Sequence, residues 1–127
     1  YQGQKEVMIW GTGKPLREFL FVEDLADAIL FLLENVNAKD IYEKEISHLN
    51  IGTGKDLSIN ELAEMVADIT EYKGRIVHDS TKPDGTPRKL LDVSRINSLG
   101  WKYKKELREG IIKTYDFFMK KYMQVEK

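Results

Sequence analysis

The chain has 127 residues, of which 42% are hydrophobic and 32% charged, and its formal net charge is -1. This length and composition are typical of one globular domain that buries a core without cross-links. The small net charge gives no general attraction to nucleic acid or to an anionic membrane. The absence of cysteine excludes disulfides, thiolate catalysis and cysteine-bound metal, and it suits a reducing cytoplasm.

The sequence shows neither a membrane span nor a signal peptide. No apolar run reaches the ~18 residues of a membrane span, and residues 1–6 lack the pattern of a signal peptide. The first residue is tyrosine rather than methionine. We therefore expect a piece of a longer cytoplasmic protein.

Residues 7–10 form a short apolar run that predicts a buried strand, and the β-prone residues 16–22 predict a second short strand. The turn between them contains Gly-Thr-Gly, but a dinucleotide fingerprint needs a third glycine that opens a helix, so a plain turn is favoured. Trp10 and Arg17 flank this turn and could offer a nucleotide an aromatic face and a guanidinium. A core tryptophan beside a surface arginine explains the pattern equally well.

Residues 23–35 predict a helix that is apolar almost all round, which indicates burial on more than one side. Residues 37–47 are polar and predict a loop. Residues 48–51 predict another short strand, which ends at a second Gly-Thr-Gly turn.

The remaining elements follow helical and strand patterns. Residues 58–61 form a capping box that opens a helix with one apolar face. Residues 76–78 predict a strand, and Asp92 or Ser94 caps a short helix that ends at Gly100. A last helix is predicted over residues 106–122, with a core-facing stripe of Leu107, Ile111, Tyr115, Phe118 and Tyr122.

Residues 82–92 combine a restricted backbone with positive charge. Two prolines and a glycine exclude a regular helix or a central strand in the first half. The cations Lys82, Arg88 and Lys89 on such a backbone suit a clamp on a phosphorylated ligand. A solvated surface turn is the alternative, and these residues alone leave it open.

No catalytic constellation is evident in the sequence. His48 and His78 belong to no cluster with the spacing of metal ligands. No serine stands near an obvious base in the sequence. The sequence therefore predicts groups that hold a ligand and no group that performs chemistry.

Several segments together resemble the carboxyl-terminal part of the extended short-chain dehydrogenase/reductases that act on nucleotide sugars. The resemblance covers about residues 7–120 and is carried by residues 10–26, 50–62 and 92–101. Residues 72–75 and 82–92 are similar to the members of this family that act on GDP-sugars.

The resemblance implies an α/β substrate-binding domain over residues 1–127, with short strands and about four helices. It also implies that an amino-terminal Rossmann domain, absent from this chain, binds NADP(H) and supplies a Ser-Tyr-Lys catalytic set. The cysteine and histidine of the epimerisation would lie there too. The whole enzyme would be a homodimer that performs 3,5-epimerisation and NADPH-dependent 4-reduction, and this chain alone would be inactive.

The resemblance further implies substrate contacts at Trp10, Arg17, Arg75, Asp84 and Lys89, with Arg17 directed toward the diphosphate. It supports Lys82 and Arg88 less strongly. Phe21 departs from the pattern, because some members have histidine or tyrosine there. Two other functions stay open: the substrate domain of another NAD(P)-dependent nucleotide-sugar epimerase or dehydratase, and a nonenzymatic module that binds a protein partner.

Overall fold

The computed structural model describes residues 3–43, 45 and 47–123. These residues contain five short strands and five helices, which confirms the predicted α/β class with one helix more than expected. The strands are β1 (Glu6–Trp10), β2 (Leu16–Glu18), β3 (Asp56–Ser58), β4 (Arg75–Asp79) and β5 (Arg88–Lys89). The helices are α1 (Val22–Asn35), α2 (Ala38–Tyr42), α3 (Ile59–Ile69), α4 (Ser94–Ser98) and α5 (Leu107–Tyr122).

The chain divides into two compact units. The first unit comprises Tyr1–Arg17, Asp56–Lys89 and Ile111–Lys127, and the second comprises Glu18–Lys55 and Leu90–Gly110. Each unit is therefore built from segments that are distant in sequence. A single domain over residues 1–127 stays a prediction.

The strands of the first unit form two small sheets. β1 and β4 are parallel and pair from Glu6 with Arg75 to Trp10 with Asp79, which confirms the two strands predicted there. The predicted burial of residues 7–10 is wrong, because four of the five residues of β1 are exposed. In the other sheet β2 lies between β3 and β5, and Arg17 of β2 pairs with Lys89 of the parallel strand β5. The first unit thus brings residues 16–17 and 88–89 side by side.

The capping box of α3 is confirmed. The Ser58 Oγ accepts a hydrogen bond from the Glu61 amide at 3.1 Å, and the Glu61 carboxylate accepts one from the Ser58 amide at 2.7 Å. These two bonds satisfy amides that the first turn of a helix leaves without partners. The Ser58 bond to the Glu61 carboxylate also lowers the pKa of Glu61.

The core of the second unit is small and well defined. Ala28 of α1, Val93, Ile96 of α4 and Trp101 are buried together. The Trp101 Nε1 donates to the Asp27 carboxylate at 2.9 Å, so the buried indole keeps a partner for its polar atom.

Asp24 is the one buried charged residue recorded among the described residues, with 3% of its surface exposed. Its carboxylate accepts hydrogen bonds from the backbone amides of Lys104 and Lys105, at 3.1 and 2.9 Å. Because a buried carboxylate is costly without donors, these two bonds fix the segment that follows Trp101 against α1.

Glu18 closes the second Gly-Thr-Gly turn. Its carboxylate accepts hydrogen bonds from the amides of Thr53 and Gly54, the latter at 2.7 Å, and from the amide of Leu91 at 2.9 Å. One carboxylate thus joins three segments of the second unit.

Three predicted elements differ from the structure. Residues 48–51 were predicted as a strand but are irregular, and the strand forms instead at β3. The strand predicted over residues 16–22 ends at Glu18, because α1 already begins at Val22. Residues 37–47, predicted as a loop, contain α2, whose first turn is closed by a hydrogen bond from the Asn37 amide to the Asp40 carboxylate at 3.1 Å. Residues 44 and 46 of that prediction lie outside the described residues.

The predicted burial of two helices was also wrong in part. α1 was predicted to be buried on more than one side, yet several of its apolar side chains are well exposed, with Leu33 at 77%. In α5 the last two members of the predicted core stripe, Phe118 and Tyr122, are exposed and pack on each other with ring centroids 5.4 Å apart. Both helices have more apolar surface than the described residues cover.

The core of the second unit can be tested at Ile96. Ile96 is fully buried, so Ile96→Ala should lower the free energy of unfolding by about 2–5 kcal/mol through lost burial and a cavity. Chemical denaturation measures this change. Leu33→Ala is the matched control and should change stability by less than about 0.5 kcal/mol. Equal effects of the two substitutions would contradict the assigned core.

The cap of α3 can be tested at Ser58. Ser58→Ala removes the acceptor for the Glu61 amide and should cost about 1 kcal/mol of stability. The exposed Ser80 provides a control, since Ser80→Ala removes a hydroxyl from the same unit without touching a helix cap. A Ser58→Ala chain as stable as the control would show that this cap contributes nothing.

Candidate functional site

Four of the five predicted contact residues are linked by one loop of the first unit. The loop comprises residues 82–88, the last of which is the first residue of β5, and is called loop 82–88 below. It contains Asp84 and leads directly into Lys89, and its contacts reach Trp10 at the end of β1 and Arg17 in β2. The attachments of this loop therefore define the candidate site.

The first attachment joins Asp84 to the turn of residues 11–13. The Thr12 amide donates to one carboxylate oxygen of Asp84 and the Thr12 hydroxyl donates to the other, both at 2.7 Å. These bonds lower the pKa of Asp84, with a smaller contribution from the positive charge of Lys14. Gly11 has a φ of 75°, and a Cβ there would collide with the Asp84 carboxylate, so both conformation and space require glycine.

The second attachment lies at the other end of the loop. The Arg17 Nη1 donates to the Thr86 carbonyl at 2.7 Å, and the Leu16 amide donates to the Pro87 carbonyl at 2.8 Å. The paired strands β2 and β5 continue this contact. Loop 82–88 is thus fixed at both ends.

Arg17 and Lys89 are neighbours across the β2–β5 ladder. Residues that pair in adjacent strands lie about 4.8 Å apart at the backbone and point to the same face of the sheet. Arg17 bonds only to backbone carbonyls, and no ion pair of Arg17 or Lys89 is found in the part of the chain that the structure describes. Two adjacent cations without a carboxylate form a place where an anion would be stabilised.

Arg88 points to the opposite face and has a different role. Its guanidinium forms two hydrogen bonds with the Asp56 carboxylate, at 2.5 and 3.3 Å. Only 12% of the Asp56 side chain is exposed. The pairing lowers the pKa of Asp56 and raises that of Arg88. The guanidinium of Arg88 is therefore paired with a carboxylate, whereas the hydrogen bonds of Arg17 are to backbone carbonyls and leave its charge without a carboxylate partner among the described residues.

Trp10 presents an exposed aromatic ring beside the loop. Its side chain is 72% exposed, so the alternative of a core tryptophan at this position is wrong; Trp101 is the core tryptophan. The ammonium of Lys82 lies 5.7 Å from the centroid of the Trp10 ring, within the range of a cation–π contact.

Arg75 is not brought together with the other four residues. It begins β4, pairs there with Glu6, and forms a side-chain ion pair with the same residue. Trp10 lies four residues further along the ladder, a separation of about 13 Å. Arg75 instead lines a groove of about 870 Å³ with Tyr72, Tyr115 and other residues of the first unit. A substrate contact at Arg75 stays a prediction.

Two residues of this region were not predicted from the sequence. Thr12 binds Asp84 as described, and the Asn60 side chain donates to the Thr12 carbonyl at 3.3 Å. The side-chain oxygen of Asn60, Oδ1, lies 2.7 Å from the His78 Nε2. The Gly-Thr-Gly turn was the available signal for Thr12, because hydroxyl residues between glycines commonly bond within turns.

The turn of residues 11–13 does not fit a dinucleotide. The space beside Gly11 is filled by the Asp84 carboxylate, and the space beside Gly13 is filled by the Asn60 side chain. A phosphate-binding turn needs that space and its amides for the phosphate, so this chain offers no NADP(H) site there. Among the described residues we also find no cluster of side chains that could hold a metal ion and no helix long and apolar enough to cross a membrane.

Comparison with known proteins gives consistent matches. The family model for the NAD dependent epimerase/dehydratase family matches residues 1–52. The chain is 50% identical over 118 residues to GDP-L-fucose synthase 1 from Arabidopsis thaliana, which is 93% of this chain and 34% of that protein. It is 45% identical over 120 residues to GDP-L-fucose synthase from Escherichia coli K12, which is 93% of this chain and 37% of that protein.

Solved structures agree with these relatives. A GDP-mannoheptose C4 reductase from Campylobacter jejuni, solved with NADP bound, is 46% identical with a TM-score of 0.79, over 90% of this chain and 35% of that one. This chain thus spans about a third of the length of the proteins it matches. Residues 1–52 are thus similar to the NAD dependent epimerase/dehydratase family, and the chain as a whole is similar to one part of a GDP-L-fucose synthase.

Proposed function

We propose that this chain is the GDP-sugar-binding portion of an NADP-dependent GDP-L-fucose synthase. The whole enzyme would convert GDP-4-keto-6-deoxy-D-mannose to GDP-L-fucose by 3,5-epimerisation and 4-reduction. The observation that carries the proposal is the pair of adjacent cations, Arg17 and Lys89, in neighbouring strands.

The two cations suit a diphosphate because each supplies a different kind of donor. Both recorded hydrogen bonds of Arg17 leave from Nη1, so its Nε and Nη2 groups can meet phosphate oxygens. Lys89 is exposed and adds a compact charge on the same face. A diphosphate loses hydration when it binds, and two cations at fixed positions offset that cost.

Trp10 supports the nucleotide part of the proposal. Its exposed ring has the Lys82 ammonium near it, and an aromatic face beside a cation suits a base or a sugar that carries negative phosphates.

The relatives support GDP more strongly than they support one sugar. Two of them are named GDP-L-fucose synthase and the third is named GDP-mannoheptose C4 reductase, so their names share GDP and differ in the sugar. The alternative, a portion of another nucleotide-sugar epimerase or dehydratase, would predict a different preference among nucleotides.

Chemistry would come from the part of the relatives that this chain does not match. NADPH, when bound there, would supply the hydride for the 4-reduction. The residues of this chain would bind and orient the GDP-sugar and would catalyse nothing alone. We further propose that the whole enzyme is a cytoplasmic homodimer.

Calorimetric titration of the 127-residue chain with GDP, and with UDP and dTDP in parallel, tests the proposed ligand. We expect selective binding of GDP. Equal affinity for all three nucleotides would favour another nucleotide-sugar enzyme. If none of the three binds, the residues of this chain do not form a nucleotide site by themselves.

Substitution of the two cations tests the proposed contacts. Arg17→Ala and Lys89→Ala should each weaken GDP binding by ~1.5–3 kcal/mol, the usual loss for a hydrogen bond to a charged group. Lys120→Ala is the matched control, because it removes an exposed cation from α5 in the same unit and should leave affinity unchanged. Unchanged affinity in both Arg17→Ala and Lys89→Ala would refute the diphosphate clamp.

A further inference from the structure

We propose that Asp84 is a positioning residue, which holds the first half of loop 82–88 against the turn of residues 11–13 through Thr12 and so keeps Lys82 beside Trp10. The ligand-binding part of this inference rests on the proposed function. It replaces the predicted direct contact between Asp84 and substrate with an indirect role.

The geometry leaves Asp84 little capacity for a ligand. Each of its carboxylate oxygens already accepts a short hydrogen bond from Thr12, one from the amide and one from the hydroxyl. A carboxylate also repels a diphosphate at close range, so a direct contact there would weaken binding. Both facts favour a role inside the protein.

Two contacts join the same two segments side by side. Trp10 meets Lys82, and two residues further along each segment Thr12 meets Asp84. The Asp79 carbonyl accepts hydrogen bonds from the amides of Gly11 and Lys82, at 3.0 and 3.2 Å. It therefore holds the starts of the two segments, residues 10–12 and 82–84, together. The bonds of Asp84 then determine how closely the following residues stay together.

The two halves of the loop depend on different attachments. The second half is held by the bonds to Thr86 and Pro87 and by the pairing of β2 with β5, none of which involves Asp84. Loss of the Asp84 carboxylate should therefore release Lys82 from Trp10 and leave the Arg17–Lys89 pair in place. This separation makes the role of Asp84 measurable.

The first test needs no ligand and uses NMR of the 127-residue chain. The Thr12 amide proton should move upfield and exchange faster with solvent in Asp84→Ala, because it loses its carboxylate acceptor. The amide of Lys89 and the indole N–H of Trp101 should not change. Glu64→Ala, which removes an exposed carboxylate from α3, is the control. An unchanged Thr12 amide in Asp84→Ala would overturn the anchor.

The second test is a double-mutant cycle measured by GDP affinity. Asp84→Ala should weaken binding by about 2- to 12-fold, the range for one ordinary hydrogen bond, and Thr12→Val should weaken it less, since the backbone amide remains. If Asp84 acts through Thr12, the double variant should bind as weakly as Asp84→Ala alone. Additive losses would show a separate contact between Asp84 and the ligand and would overturn the proposal.

The conservative variant Asp84→Asn separates positioning from charge. Its amide oxygen can accept from the Thr12 amide, and its nitrogen can donate to the Thr12 hydroxyl, so affinity should stay within about twofold of the unsubstituted chain. A loss equal to that of Asp84→Ala would contradict the positioning role. If the unsubstituted chain binds no GDP, these residues form no GDP site alone, while the Thr12 amide still decides whether Asp84 anchors the loop.

Discussion

A carboxylate bound by the backbone of a Gly-Thr-Gly turn is the interaction on which both units depend. In the first unit Asp84 binds the amide and hydroxyl of Thr12, 72 residues away in sequence. In the second unit Glu18 binds the amides of Thr53 and Gly54. Clustered backbone amides form a natural anion site, and here the protein fills each site with its own side chain. The two turns therefore join distant segments and do not bind a cofactor phosphate.

This interaction explains which features the sequence could predict. The strands β1 and β4 and the helices α3 and α5 follow from apolar patterns and a capping box, because those signals lie within a few neighbouring residues. The strands β3 and β5 have only three and two residues, too few to show a period, and their pairing depends on distant partners. The partner of Asp84 is equally distant. The resemblance matched Arg75 to a contact position, but a match of residues carries no geometry, and the β1–β4 ladder places Arg75 far from Trp10.

The exposed apolar residues have a related physical explanation. The sequence predicts a stripe on α5 and a helix apolar almost all round at α1, but such patterns show only that a surface is suited to burial. Ala28 of α1 is buried, whereas Leu33 of α1 and Phe118 of α5 are exposed. The matched relatives are about three times as long as this chain. Apolar faces of this kind are typical of surfaces that other polypeptide covers.

Arg88 and Lys89 carry the same charge, but the fold gives them different neighbours. The two cations are consecutive, and the alternation of a strand sends them to opposite faces. One face presents the Asp56 carboxylate, which engages Arg88. The other face presents Arg17, a second cation, which leaves Lys89 beside a like charge. Like charges in neighbouring strands destabilise a sheet unless an anion lies between them. The strand pairing, which the sequence did not reveal, thus places Lys89 and not Arg88 beside Arg17, in the pair that we propose for a diphosphate.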